Sequence, residues 1–83
     1  MNQNDVDRTL VRTARALLDW TQADLATRAG IALATLKRFE KGLRTPIPVV
    51  RAAIFKALEQ AGVEFQDTGK NIGVSISSRK LAN

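Results

Sequence analysis

Thr21-Gln22-Ala23-Asp24-Leu25-Ala26-Thr27-Arg28-Ala29-Gly30-Ile31-Ala32-Leu33-Ala34-Thr35-Leu36-Lys37-Arg38-Phe39-Glu40-Lys41-Gly42 reads as two short helices with one glycine between them. Thr21 and Asp24 match the capping pattern Ser/Thr-x-x-Asp/Glu. The Thr21 hydroxyl can accept from the N–H of Asp24, and the Asp24 carboxylate can reach back to the N–H of Thr21. The helix continues through Leu25, Ala26 and Ala29. Gly30 ends it, where a left-handed residue closes a helix at little cost. The next helix is expected from about Leu33 to Lys41, with Leu36 and Phe39 turned inward and Gly42 as its stop. Ala26 is small where the two helices must cross closely. Ile31 and Leu36 anchor the second helix, which frees an opposite face made of Leu33, Ala34, Lys37, Arg38 and Lys41.

The pattern extends to both sides. From about Asp7 to Leu18 the apolar residues Leu10, Val11, Ala14, Leu17 and Leu18 recur at steps of three and four, which predicts a helix started by Asp5 or Asp7. Asp19 and Trp20 connect it to Thr21. After Gly42, Leu43-Arg44-Thr45-Pro46 reads as a loop. Pro48 suits the first turn of a fourth helix, where its missing N–H costs nothing. Val50, Ile54, Ala57, Leu58 and Ala61 form that helix's apolar stripe, and Gly62 closes it. The period then changes to two. Val63 and Phe65, then Ile72, Val74 and Ile76, alternate with polar or small residues around Asp67-Thr68-Gly69-Lys70-Asn71, the pattern of a β-hairpin. The expected fold is mainly α, four helices with a C-terminal β-hairpin. One domain spans 1–83, with its helical part at about 6–62, the hairpin at about 63–77 and a frayed basic tail at 78–83.

Eighty-three residues suffice for one domain. A chain this small buries only roughly 60% of its unfolded surface, so external support is expected. No Cys and no His are present. Disulfides, thiolate sites and zinc-finger ligand sets are therefore excluded, and no metal or other cofactor is expected. The same gaps, with no glycine-rich phosphate loop and no paired carboxylates, argue against an enzyme. No apolar run approaches the ~20 residues of a membrane span, and the polar N-terminus lacks a secretory pattern. A cytoplasmic, membrane-free protein is expected. The net charge is +5, and the excess sits in residues 31–56. There Lys37, Arg38, Lys41, Arg44, Arg51 and Lys56 face Glu40 alone, an electrostatic footprint suited to a polyanion.

Two short helices about a glycine are the outline of a DNA-binding helix-turn-helix. Gln22, Ala26, Gly30, Leu36, Glu40 and Gly42 at these spacings resemble the Cro and phage-repressor type, the XRE family, over Leu10 to about Ala61. The resemblance implies a lambda-repressor-like fold that binds double-stranded DNA. It implies base-edge contacts from Leu33, Ala34, Lys37 and Arg38, and phosphate contacts from Thr21, Gln22, Lys41 and Arg44. Gln22 would also brace the recognition helix. An Arg late in the first helix, Arg15, is expected to pair with Glu40. Two positions depart from the family pattern. Ala32 stands where Ser or Thr often caps the recognition helix, and Leu33 where polar residues are common.

These roles agree with the chemistry. Arg can grip guanine O6 and N7 together, and Leu or Ala can touch a thymine methyl. Lys41 and Arg44 would set position and affinity without reading sequence. Leu33 also suits a protein interface. Arg51 and Lys56 are read as solubilising helix 4, with phosphate contact as the alternative. Trp20, Phe39, Phe55 and Phe65 are read as core. The function expected is sequence-specific transcriptional regulation, by repression or autoregulation of a promoter. Two alternatives remain: an antitoxin that binds a partner toxin as well as its operator, and an interaction module that has lost DNA binding. A homodimer is expected, held at least partly by the hairpin. An isolated hairpin is marginal in water, so it must pack on helix 4, pair edge-to-edge with a second hairpin, or both.

Overall fold

The computed structural model describes residues 3–67 and 72–76. Helix α1 spans Gln3–Leu18, α2 Gln22–Ala29, α3 Leu33–Glu40 and α4 Pro48–Gln60. Strands β1, Val63–Asp67, and β2, Ile72–Ile76, form an antiparallel pair in which Val63 faces Ile76 and Phe65 faces Val74. The expected mainly α fold with a terminal hairpin is therefore observed. The turn expected at Thr68–Asn71 and the tail expected at 78–83 lie outside the described residues.

Leu25 and Ala26 of α2, Leu36 and Phe39 of α3, Val11 and Ala14 of α1, and Ile54, Ala57 and Leu58 of α4 make the core, closed by Val63. These are the positions that helical periodicity marks on each segment. Of the other residues placed on these stripes, Leu18, Ala29 and Val50 are half-buried against the core, Leu10 and Ala61 are half-buried, and Leu17 is 47% exposed.

Three details differ from the sequence expectation. Helix α1 begins four residues earlier, at Gln3, so neither Asp5 nor Asp7 caps it. Asp7 lies on the buried face instead, in line with Val11 and Ala14. Asp67 belongs to β1 rather than to the turn, paired with Ile72. The hairpin also packs against α1 as well as α4, β2 lying along α1 and β1 along α4. Phe65 meets Phe55 of α4 edge-on, with centroids 4.9 Å apart.

The connection Asp19-Trp20 is a helix-closing turn. The N–H of Trp20 bonds to the Arg15 carbonyl at 2.9 Å and that of Asp19 to the Ala16 carbonyl at 3.1 Å, a Schellman pattern. The closing residue, Asp19, has φ 57°. Left-handed backbone costs a side-chain-bearing residue roughly 1–2 kcal/mol, part of which glycine returns as greater freedom in the unfolded chain. Asp19→Gly is expected to raise stability by about 0.5–1 kcal/mol and the Tm by a few degrees, read by thermal circular dichroism. A lower Tm would show that the Asp19 side chain stabilises the turn.

Candidate nucleic-acid interface

The Thr21–Gly42 unit is built as its residues dictate. Thr21 Oγ1 accepts from the Asp24 N–H at 3.0 Å, and Asp24 accepts from the Thr21 N–H at 2.9 Å. The Thr21 N–H bond to its oxygen, with the Thr21 hydroxyl beside it, holds the Asp24 carboxyl below its ordinary value. Gly30 closes α2 with φ 70°. A Cβ there would meet nothing within 4 Å, so backbone sign rather than space demands glycine. Helix α3 then starts at Leu33 with Ala32 as its N-cap and no side-chain cap bond.

One polar node fixes α3 against the scaffold. Arg15 Nε donates to Glu40 Oε2 at 2.7 Å, and Arg15 Nη2 to Glu40 Oε1 at 2.7 Å. The third guanidinium nitrogen donates to the Trp20 carbonyl at 3.0 Å. Gln22 Nε2 donates to Glu40 Oε1 at 3.1 Å. The Glu40 side chain is 4% exposed and that of Arg15 19%. This bidentate geometry is the stiffest pairing available to a carboxylate. It ties the end of α3 to α1, to the α1–α2 turn and to the start of α2. The expected Arg15–Glu40 pair and the bracing role of Gln22 are thus both observed.

With Leu36 and Phe39 inward, Leu33, Ala34, Lys37, Arg38 and Lys41 are all exposed on α3 and its end. Among the α3 residues, Glu40 carries the only carboxylate, and it is buried. The free face is therefore cationic and apolar, with no acid to repel phosphate. Arg44 stands exposed in the loop after α3. It lines, with Thr35, Arg38, Thr45 and Ile47, a groove of about 230 Å³ floored by Phe39, Pro46 and Val50. Thr21 and Gln22 begin α2, with Thr21 exposed and Gln22 half-buried. The proposed base-contacting residues thus share one helix face, and the proposed phosphate-contacting residues lie at the α2 start and the α3 end.

The loop bearing Arg44 is held by α1. The Arg8 guanidinium lies against Gly42, whose φ is 78°. A Cβ at Gly42 would come within 3.3 Å of Arg8 Nε. Asn4 Nδ2 donates to Thr45 Oγ1. Neither contact is visible in the helix-turn-helix pattern, because both partners on α1 lie outside it.

Arg51 is not a solubilising cation. Its Nε donates to Asp7 Oδ2 at 2.6 Å and its Nη2 to Asp7 Oδ1 at 3.0 Å, while its guanidinium lies 4.6 Å from the Phe55 centroid. Gln3 also donates to Asp7, at 2.9 Å. Burial raises the Asp7 pKa, but the bonds from Arg51 and Gln3 and the Arg51 charge outweigh it and leave the carboxyl below its ordinary value. The Arg51 guanidinium is held above its ordinary value by its bonds to Asp7 and by the Asp7 charge. The sequence signal was Asp7 itself, an acid on the apolar stripe of α1, which needs a cation across the core edge. Asp7 binds fewer protons folded than unfolded below about pH 4, so its stabilisation is present above that pH and fades as pH falls through its folded pKa. Asp7→Asn should destabilise the chain at pH 7. Its deficit against wild type should narrow between about pH 4 and pH 2 in urea unfolding series. A constant deficit would show that charge is not the source.

An exposed cationic helix face, a rigid node behind it and a short preceding helix define a helix-turn-helix DNA-binding domain. A helix-turn-helix family model matches residues 11–52, just over half of the chain. The chain belongs to that family, the XRE type of DNA-binding regulators. A comparison with curated proteins finds no match. Among the described residues, no helix is long and apolar enough to cross a membrane.

Proposed function

We propose that this chain is a sequence-specific transcriptional regulator, working in the cytoplasm as one domain and repressing or autoregulating a promoter. Helix α3 enters the major groove. Leu33, Ala34, Lys37 and Arg38 meet base edges, with Leu33 and Ala34 against thymine methyls and Arg38 on guanine. Thr21, Gln22, Lys41 and Arg44 meet phosphates. The observation that carries this reading is the acid-free exposed face of α3, held outward by the Arg15–Glu40–Gln22 node.

Gln22 supports its own part of the assignment. An amide nitrogen has two donors. One is used on Glu40, and the second is left for a phosphate beside the α2 N-terminus. One helix-turn-helix reads a half-site, so two copies are proposed to act together on one operator. The test is selection of duplexes from a random-sequence pool, followed by titration at several salt concentrations. Enrichment of a defined site is expected, with log affinity falling linearly against log salt at a slope set by the phosphates that Lys41 and Arg44 of each copy neutralise. No enrichment, or binding indifferent to salt, would remove the DNA reading and favour an interaction module.

A further inference from the structure

Arg44 carries its proposed phosphate contact on a stretch that the backbone does not hold. Helix α3 closes with the Gly42 N–H on the Phe39 carbonyl at 3.0 Å and the Leu43 N–H on the Arg38 carbonyl at 2.9 Å. Backbone bonding resumes at the Ile47 carbonyl, which accepts from Val50 and Arg51 at 3.0 Å. Between these points, among the described residues, no backbone bond engages Arg44, Thr45 or Pro46. Arg44 also lines one groove with Arg38, and the two like charges push this stretch away from α3.

Side chains of α1 stand against that stretch on either side of Arg44. Asn4 Nδ2 donates to Oγ1 of Thr45, the residue after Arg44. The Arg8 guanidinium lies against Gly42, just before it. Asn4 and Arg8 are one helical turn apart, so they share a face of α1. Asp5 accepts from both Nε and Nη2 of Arg8. That pairing offsets the Arg8 charge, so a cation beside the loop adds little to the repulsion.

We propose that the first turns of α1 form a clamp that sets Arg44 for its phosphate, with Asn4 as the positioning residue. The proposal rests on the DNA reading above. A free loop must lose backbone and side-chain freedom when a duplex binds, and that cost is subtracted from affinity. The Asn4–Thr45 bond takes the loss in the free protein. Asn4 needs no contact of its own with DNA; it acts through Thr45 on Arg44. Because Arg44 grips a phosphate oxygen rather than a base, the gain applies to every duplex alike.

The test is a double-mutant cycle read by DNA affinity. Asn4→Ala and Thr45→Val each remove one end of the bond without changing net charge, and valine keeps the shape of threonine. Asn4→Ala is expected to weaken binding to a selected duplex and a scrambled one alike, by roughly three- to tenfold. Thr45→Val should give the same loss, and the two together no more than either alone. Thr45→Ser keeps the hydroxyl and should bind within about twofold of wild type. Placed on Arg44→Ala, Asn4→Ala should cost less than about twofold further, because nothing is left to position. Neither Asn4 nor Thr45 belongs to the core, so every variant should be folded at the binding temperature, which thermal unfolding checks. Full additivity of Asn4→Ala with Arg44→Ala overturns the proposal, since Asn4 then acts apart from Arg44. So does a loss in Thr45→Val that Asn4→Ala does not share, which makes Thr45 a direct DNA contact. Duplex binding that Asn4→Ala leaves unchanged overturns the clamp alone. Binding of no duplex by the wild-type chain overturns the DNA reading and the clamp with it.

Discussion

Glu40→Ala is expected to lower the free energy of unfolding by about 3 kcal/mol, the cost range of breaking a buried ion pair from one side. The carboxylate accepts three hydrogen bonds, two from Arg15 and one from Gln22. Removing it leaves the Arg15 guanidinium largely buried, with the Trp20 carbonyl as its one remaining acceptor among those bonds. An uncompensated buried cation, not the lost attraction, sets the size of the effect. For a chain of this length the loss corresponds to a Tm drop on the order of 15 °C. Glu59 is exposed on α4, and Glu59→Ala should change stability by no more than about 0.5 kcal/mol. Glu40→Gln keeps an acceptor and should fall between the two. Thermal and urea unfolding of the three variants read this directly. Equal Tm values for Glu40→Ala and Glu59→Ala would show that α3 is held by apolar packing alone.

That node was legible in the sequence only through the family resemblance. Spacing places Glu40 on the inward side of α3, but the partner 25 residues away on α1 follows from no local pattern. The helices themselves were legible because their signals are local. The Thr21–Asp24 box, Gly30, Gly42 and Pro48 each act within one turn, and each does in the structure what its chemistry requires. The start of α1 was misjudged because Gln3 to Val6 are polar or isolated, so the apolar period gives them no weight. Yet side-chain bonds hold those residues in the helix, Gln3 to Asp7 one turn along α1 and Asn4 to Thr45 across to the loop after α3.

Arg51 was misread for a related reason. Its nearest apolar neighbours, Val50 and Ile54, mark the stripe of α4 and leave Arg51 beside it. Only the packing of α4 across α1 brings it to Asp7. Charge counted along the chain therefore overstated the free basic surface, since one of the six cations in residues 31–56 is bonded to a carboxylate outside that segment. The hairpin was legible as alternation, while its seat was not. Alternation shows that one face is apolar and says nothing of which helix covers it.

Arg38→Ala is expected to weaken binding to a selected site by roughly 1–3 kcal/mol and to relax base choice at one position, while leaving nonspecific binding nearly intact. Lys41→Ala and Arg44→Ala should instead weaken binding to all duplexes alike and reduce the salt slope by about one each. The contrast matters because Arg38 and Arg44 line the same groove beside α3. A guanidinium there can turn along α3 toward base edges or across the groove toward the backbone, and the two uses leave different signatures. A base contact costs specificity at one position with little change in salt slope. A phosphate contact costs affinity everywhere and removes one unit of slope. Arg38→Lys sharpens the test, because lysine keeps the charge and loses the two-pronged donor geometry. On a guanine it should recover little of the lost discrimination; on a phosphate it should recover most of the lost affinity. Titrations of the selected duplex and a scrambled one, at three salt concentrations, separate these cases. If Arg38→Ala behaves as Lys41→Ala does, base reading passes to Leu33, Ala34 and Lys37, and Arg38 joins the residues that hold the backbone.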